Sequence, residues 1–203
     1  VFPYMGAGNI TVCNGLRARL FRISFSGELA FEIAVPTRYG DALLREMLAR
    51  GAEFDPVVYG TEALGVMRIE KGHVAGGELN GQSTALNMGL GKMVSKKKDA
   101  IGMVLSQREG LVDPEGYRLV GVRPVDPAGK LVAGSHFLEL GADPVAANDG
   151  GWLTSKVYSP HLGCDIALGY LKGGDRKIGA RMRAVNLVGG TETEVEIVSP
   201  HFF

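Results

Sequence analysis

The chain has 203 residues, 45% apolar and 22% charged side chains, zero formal net charge and a pI near 7.1. Charge neutrality argues against nucleic acid as the main partner, and no apolar run is long enough to span a bilayer, so no membrane association is expected. Two cysteines, Cys13 and Cys164, with no CxxC and no Cys/His cluster, predict a reducing, cytoplasmic setting without structural zinc or any other metal.

Residues 10–12 predict a strand, and Cys13-Asn14-Gly15 carries the Asn-Gly signal of a β-hairpin. The return strand is expected over 16–25, with Leu16, Ala18 and Leu20 on one face and Phe21, Ile23 and Phe25 on the other. Apolar side chains on both faces predict a central strand covered on both sides. A tight corner at Ser26-Gly27-Glu28 leads into a further strand with Phe31, Ile33 and Val35, which Pro36 stops. Residues 41–49 read as a helix through Leu43, Leu44, Met47 and Leu48, with Gly51 as its C-terminal stop. A short strand over 57–59 precedes a second helix over 62–71, N-capped by Thr61 and ended by Gly72. The stretch from Gly72 to Gly91 is rich in Gly, Asn, Ser and Thr, the composition of a binding or docking loop.

Composition changes near Lys98. Short strands are expected over 101–106, 117–124, 131–140, 152–158, 166–171, 181–187 and 193–198, punctuated by turns such as Asp126-Pro127-Ala128-Gly129. Regular short strands with such turns predict a small antiparallel barrel or sandwich. The fold class is therefore α+β: an antiparallel sheet with two helices over 1–95, then a small antiparallel β-barrel over 96–203. The basic run Lys96-Lys97-Lys98 is followed at once by Asp99 and reads as a solvated linker. Without an initiator Met, and opening on Val1-Phe2-Pro3-Tyr4, the sequence reads as a piece of a longer polypeptide.

Two side chains stand out chemically. Glu28, at the corner between two apolar strands, could accept two N–H groups from a flat heterocycle, although a solvated loop glutamate has the same signature. Arg68 lies in a helix that is apolar nearly all round, so its permanent charge needs an internal carboxylate or a bound anion. Either an Arg–Glu pair joining helix to sheet or a ligand carboxylate meets that need. Glu28, Glu70 and Glu78 are acid/base candidates by residue type alone, with no paired spacing. His73, His136, His161 and His201 share no metal-ligand spacing. Neither a GxGxxG nor a GxSxG motif is present, which leaves nucleotide-binding and hydrolase readings without support.

The segment from Phe21 to Ile33, with Ser26-Gly27-Glu28-Leu29-Ala30-Phe31-Glu32 at its centre, resembles a motif of the aminomethyltransferase (glycine-cleavage T-protein) superfamily. Gly60-Thr61-Glu62-Ala63-Leu64-Gly65-Val66-Met67-Arg68-Ile69-Glu70-Lys71-Gly72-His73 resembles the family's helix with its Arg-hydrophobe-Glu end. Gly151-Trp152-Leu153-Thr154-Ser155-Lys156-Val157-Tyr158-Ser159-Pro160-His161-Leu162-Gly163 is similar to its C-terminal barrel signature, completed by Ile166-Ala167-Leu168-Gly169-Tyr170. Phe2-Pro3-Tyr4-Met5, the Ile69-Glu70-Lys71-Gly72 ending and Leu90-Gly91-Lys92-Met93-Val94 look most like the branch of heterotetrameric sarcosine oxidase alpha subunits. Ala30 departs from the glycine usual in the turn motif, and Thr84-Ala85 from the common Thr-Pro.

What the resemblance implies is a tetrahydrofolate site, with Glu28 on the pterin ring and Arg68 near the benzoyl-glutamate side. The family's first catalytic segment would lie upstream of Val1, so no catalytic residue is expected here. Flavin and NAD would belong to parts of the complex outside this chain. The implied partners are the other sarcosine oxidase subunits and the N-terminal part of the same polypeptide. The implied activity is an oxidoreductase one, in which the imine from sarcosine demethylation passes to tetrahydrofolate to give methylenetetrahydrofolate. Alternatives are the C-terminal part of an aminomethyltransferase or dimethylglycine dehydrogenase, or a non-catalytic folate-sensing or assembly module.

Overall fold

The structure is a computed structural model that describes residues 2–203. It forms two compact units that divide between Leu64 and Gly65, within a helix.

In the first unit, β1 (Ala7–Val12) and β2 (Leu16–Phe21) form the expected hairpin, with Val12 opposite Leu16. Cys13 (φ 45°), Asn14 (φ 57°) and Gly15 (φ 125°) all lie at positive φ, which a tight hairpin turn demands. β3 (Glu32–Ala34) completes a three-stranded antiparallel sheet in the order β1-β2-β3. Helix α1 (Gly40–Gly51) follows, with an Asp41–Arg45 pair at 2.9 Å on its exposed side.

Several expectations are corrected in this unit. β2 ends at Phe21, and residues 22–31 form an open loop rather than strand and tight corner. β2 is central, but it is not covered on both sides: among residues 2–64, Ala18 alone is buried. Gly51 belongs to α1, and the left-handed residue is Asp55, after a short 3-10 turn. Residues 57–59 form no strand and are exposed. Helix α2 (Thr61–Glu70) forms as expected, yet only Ile69 in it is fully buried, so it is not wrapped in core all round.

The second unit is dominated by a closed six-stranded antiparallel barrel. Its strands are β4 (Tyr117–Pro124), β5 (His136–Leu138), β6 (Gly151–Ser159), β7 (Cys164–Lys172), β8 (Arg181–Asn186) and β9 (Thr191–Val198), in the order β4-β7-β6-β5-β8-β9 with β9 returning to β4. Residues 101–106 are not a strand. Two short helices, α3 (Met103–Ser106) and α4 (Glu109–Val112), occupy that region, because a brief apolar run bears no period that separates the two states. β5 is also much shorter than the 131–140 expected, although Leu131 itself is buried.

The barrel has an inner and an outer core. Val120, Val122, Phe137, Leu153, Ala167, Leu171, Met182, Val195 and Ile197 fill the interior. On the outer face Leu119, Ile166, Leu168 and Tyr170 pack with Ile69 of α2, joined by Val74, Met88 and Trp152. β7 therefore contributes alternate residues to both cores and is buried along almost its whole length. No helix is long and apolar enough to cross a membrane among the described residues.

Candidate functional site

The two residues singled out by sequence fall in different units. Glu28 lies in the 22–31 loop, exposed, and among the described residues its carboxylate has no hydrogen-bond or ion-pair partner. The loop is shaped by Gly27, at φ 89°, whose N–H donates to Ser24 Oγ at 2.8 Å. An exposed carboxylate without an internal partner can accept hydrogen bonds from a ligand. It stands on a loop, however, and not on a corner held by sheet on both sides.

Arg68 sits near the end of α2 and finds an internal carboxylate, that of Glu78 (3.0 Å), with side chains 13% and 0% exposed. Glu78 belongs to the Gly-rich loop after α2, in a turn where its Oε2 accepts the Ala75 N–H at 2.8 Å. Its Oε1 receives the Ser155 hydroxyl at 2.5 Å and the Thr154 hydroxyl at 2.6 Å. Ser155 Oγ in turn accepts from Arg68 Nη2 at 2.8 Å, which closes a ring of arginine, carboxylate and hydroxyl. Arg68 Nη1 also donates to the His73 carbonyl at 3.3 Å. These bonds leave Nε–H and one Nη2–H of the guanidinium without a hydrogen-bond acceptor among the described residues.

Adjacent strand residues normally point to opposite faces. A bulge in β6, where the register with β7 shifts between Leu153 and Ser155, removes that constraint for Thr154 and Ser155. Gly77 completes the arrangement: a Cβ there would lie 2.9 Å from the Thr154 carbonyl, so only glycine lets the loop come this close to β6. The backbone carbonyl of Glu78 accepts the Tyr170 hydroxyl at 2.8 Å, which ties the loop to β7 as well.

The electrostatics follow from this geometry. Burial pushes the Glu78 carboxyl up, but the Ser155, Thr154 and Ala75 hydrogen bonds and the Arg68 charge outweigh it and hold the group below the usual carboxylate range. Burial, with the Arg68 charge beside it, lowers His73. Tyr170 is raised, chiefly by burial. The pair thus stays ionised, as a structural link between helix, loop and barrel.

The remaining candidates are structural in their contacts. Glu70 Oε1 accepts the Ser159 hydroxyl at 2.5 Å. His136 pairs with Asp149 at 3.0 Å, a neighbour invisible in sequence. The His161 ring meets Phe203 edge-on at 4.5 Å, and His201 Nδ1 lies 2.8 Å from the Lys71 carbonyl. Cys164 is buried at the start of β7. Sequence reasoning named Glu78 only as an acid by type. Thr154 and Ser155 were missed as its partners, and nothing short of the bulge would have revealed them.

Comparison with known proteins bears on all of this. Residues 1–98 match the GCVT N-terminal domain, and residues 118–203 match the glycine cleavage T-protein C-terminal barrel domain. The chain is 43% identical over its whole length to sarcosine oxidase subunit alpha of Rhizobium meliloti, and 39% identical over 88% of its length to that of Corynebacterium sp. strain P-1. It spans only about a fifth of those relatives (21% and 19%). A mitochondrial aminomethyltransferase from Pisum sativum is 29% identical over 90% of the chain and 44% of that protein. The fold is that of the glycine cleavage system aminomethyltransferase T from Bartonella henselae, with a TM-score of 0.73 at 21% identity, over 92% of this chain and 50% of that one. With an N-terminal and a barrel domain of one family following each other along it, the chain belongs to the aminomethyltransferase (glycine-cleavage T-protein) superfamily.

Proposed function

We propose that this chain is the folate-binding part of a sarcosine oxidase alpha-type subunit. The observation that carries the reading is 43% identity along the entire chain to a sarcosine oxidase subunit alpha. In the proposed reaction oxidation of the sarcosine N-methyl group gives an imine, whose methylene carbon passes to the two nitrogens of tetrahydrofolate as its bond to the amino-acid nitrogen breaks, giving methylenetetrahydrofolate and glycine. Tetrahydrofolate supplies the nucleophilic nitrogens when bound.

The chain's own residues bind and orient. Glu28 fits the pterin role in one respect, since its carboxylate is exposed and has no internal partner among the described residues. Arg68 fits less fully: Glu78 already neutralises it, and Nε–H with one Nη2–H is what remains for a ligand carboxylate. Its place in the folate site is therefore secondary to that of Glu28.

Flavin, NAD and the oxidation of the amine belong, in this reading, to the longer protein, as do the catalytic groups. The exposed run of Phe54, Val57, Val58 and Tyr59 suits contact with other parts of such a protein or its partner subunits.

Calorimetric titration of folinic acid into the chain and its Glu28→Ala variant tests the reading. The expected outcome is at least tenfold weaker binding by the variant, the scale of a lost charge-assisted hydrogen bond. Equal heats from both proteins would remove Glu28 from the site.

A further inference from the structure

A cavity of about 360 Å³ lies on the outer face of the barrel, walled by Tyr117, Trp152 and Tyr170. Strand register explains the wall. Trp152 on β6 is directly opposite Tyr170 on β7, and Tyr117 on β4 is opposite Lys172, two residues further along β7. With a side-chain period of two, all of these point outward from three neighbouring strands. Tyr117 and Trp152 meet edge to face at 5.0 Å and 71°, and Trp152 and Tyr170 lie 5.8 Å apart. Ile69, Val74 and Met88 pack in the same outer core, in which Tyr117 and Trp152 are only half-buried.

The polar groups at the cavity are selective. Asp113 Oδ1 accepts the Glu115 N–H at 2.8 Å, and its carboxylate also feels the charge of Arg176. Glu115 is paired with Arg176. Lys172 Nζ is held by the Asp149 carbonyl at 2.8 Å, and lies 5.8 Å from the Tyr117 centroid. Gln82, also on the wall, has no hydrogen-bond partner for its side-chain amide among the described residues. The aromatic faces favour a flat π-system, and the Asp113 carboxylate offers an acceptor to an N–H donor.

We infer that the Trp152 cavity is a ring-stacking site for a planar nitrogen heterocycle that carries an exocyclic amino group. The ring stacks against Tyr117 and Trp152, and the amino group donates to Asp113 and Gln82. The inference goes beyond the folate reading, since it uses neither Glu28 nor Arg68.

The sequence contains one tryptophan, so a ¹⁵N-labelled sample of the full chain shows a single indole N–H signal that reports on this cavity. The probes are adenosine and 6-hydroxymethylpterin. The expected result is a saturable shift of that signal with at least one of them, at a Kd on the order of 10⁻⁴ M. Asp113→Asn, on an exposed turn, weakens binding several-fold; Tyr117→Leu abolishes it; Glu28→Ala leaves it unchanged. Absence of a saturable shift with both probes overturns the inference. So does a shift unaffected by Asp113→Asn or surviving in folded Tyr117→Leu, and so does one lost in Glu28→Ala. Failure of folinic acid to distinguish Glu28→Ala from the wild type, by contrast, bears on the folate reading alone.

Discussion

Thr154 and Ser155 are consecutive residues of one strand, yet both hydroxyls reach the same carboxylate oxygen of Glu78, at 2.6 and 2.5 Å. The β6 bulge makes this possible, and it gives the carboxylate a full set of donors in a place with no access to water. The Arg68–Glu78 pair is thereby a link between α2, the Gly-rich loop and the barrel.

Removing that carboxylate strands a largely buried guanidinium. Glu78→Ala is expected to destabilise the chain by roughly 3–5 kcal/mol, the cost of breaking a buried pair from one side. In a protein of this size that lowers Tm by about 10 °C. Ser155→Ala removes a hydroxyl that serves both partners and is expected to cost about 1–3 kcal/mol. Thermal unfolding of the two variants against wild type measures both, and a Glu78→Ala protein as stable as wild type would refute the account of the pair.

The lowered Glu78 carboxyl sets the sign of an acid effect. Its folded value lies below its unfolded value of about 4.3, so the unfolded state takes up the proton first. The stabilisation is complete above the unfolded value and is lost as pH falls through the folded one. Urea midpoints measured from pH 6 to pH 3 should fall more steeply for wild type than for Glu78→Gln.

His73 acts in the same direction at higher pH. Burial and the Arg68 charge lower it, so it binds a proton less readily when folded than its ordinary value near 6.5 implies. Stability gained above that value is lost as pH drops through the window just below it. His73→Gln should flatten the stability profile between about pH 6.5 and pH 5.

Glu28→Ala is the contrasting case. The carboxylate is exposed and has no internal partner among the described residues, so the substitution should leave Tm within about 2 °C of wild type. A large drop in Tm would mean that Glu28 is part of the folded framework.

The two thiols should separate chemically. Cys164 is buried and its thiol is pushed up, chiefly by burial, whereas Cys13 is partly exposed in the hairpin turn. A thiol reagent at neutral pH should modify one cysteine quickly in the native protein and the second only on unfolding.

The barrel was largely legible in the sequence because its short strands recur at regular spacing between turns that carry Gly, Pro, Asn and Asp. β4 matches its expected bounds, and β6 to β9 lie within two residues of theirs. Residues 101–106 and 57–59 failed for a common reason: a handful of apolar residues fits a strand, a turn of helix or an exposed contact equally well. The strand run expected up to Phe25 stopped at Phe21, where the pairing with β1 and β3 ends. At the candidate site, the charge on α2 announced that Arg68 needed an anion. Which anion depended on a bulge and on a close approach at Gly77, and neither leaves a mark in residue spacing.

Ala18 is the sole buried residue among positions 2–64. A unit with so little interior has little to lose by opening, so its amides should exchange with solvent deuterium soon after dilution, while those of β7 persist longest. Limited proteolysis of this polypeptide would then trim residues 2–64 first and leave the barrel as the resistant remnant.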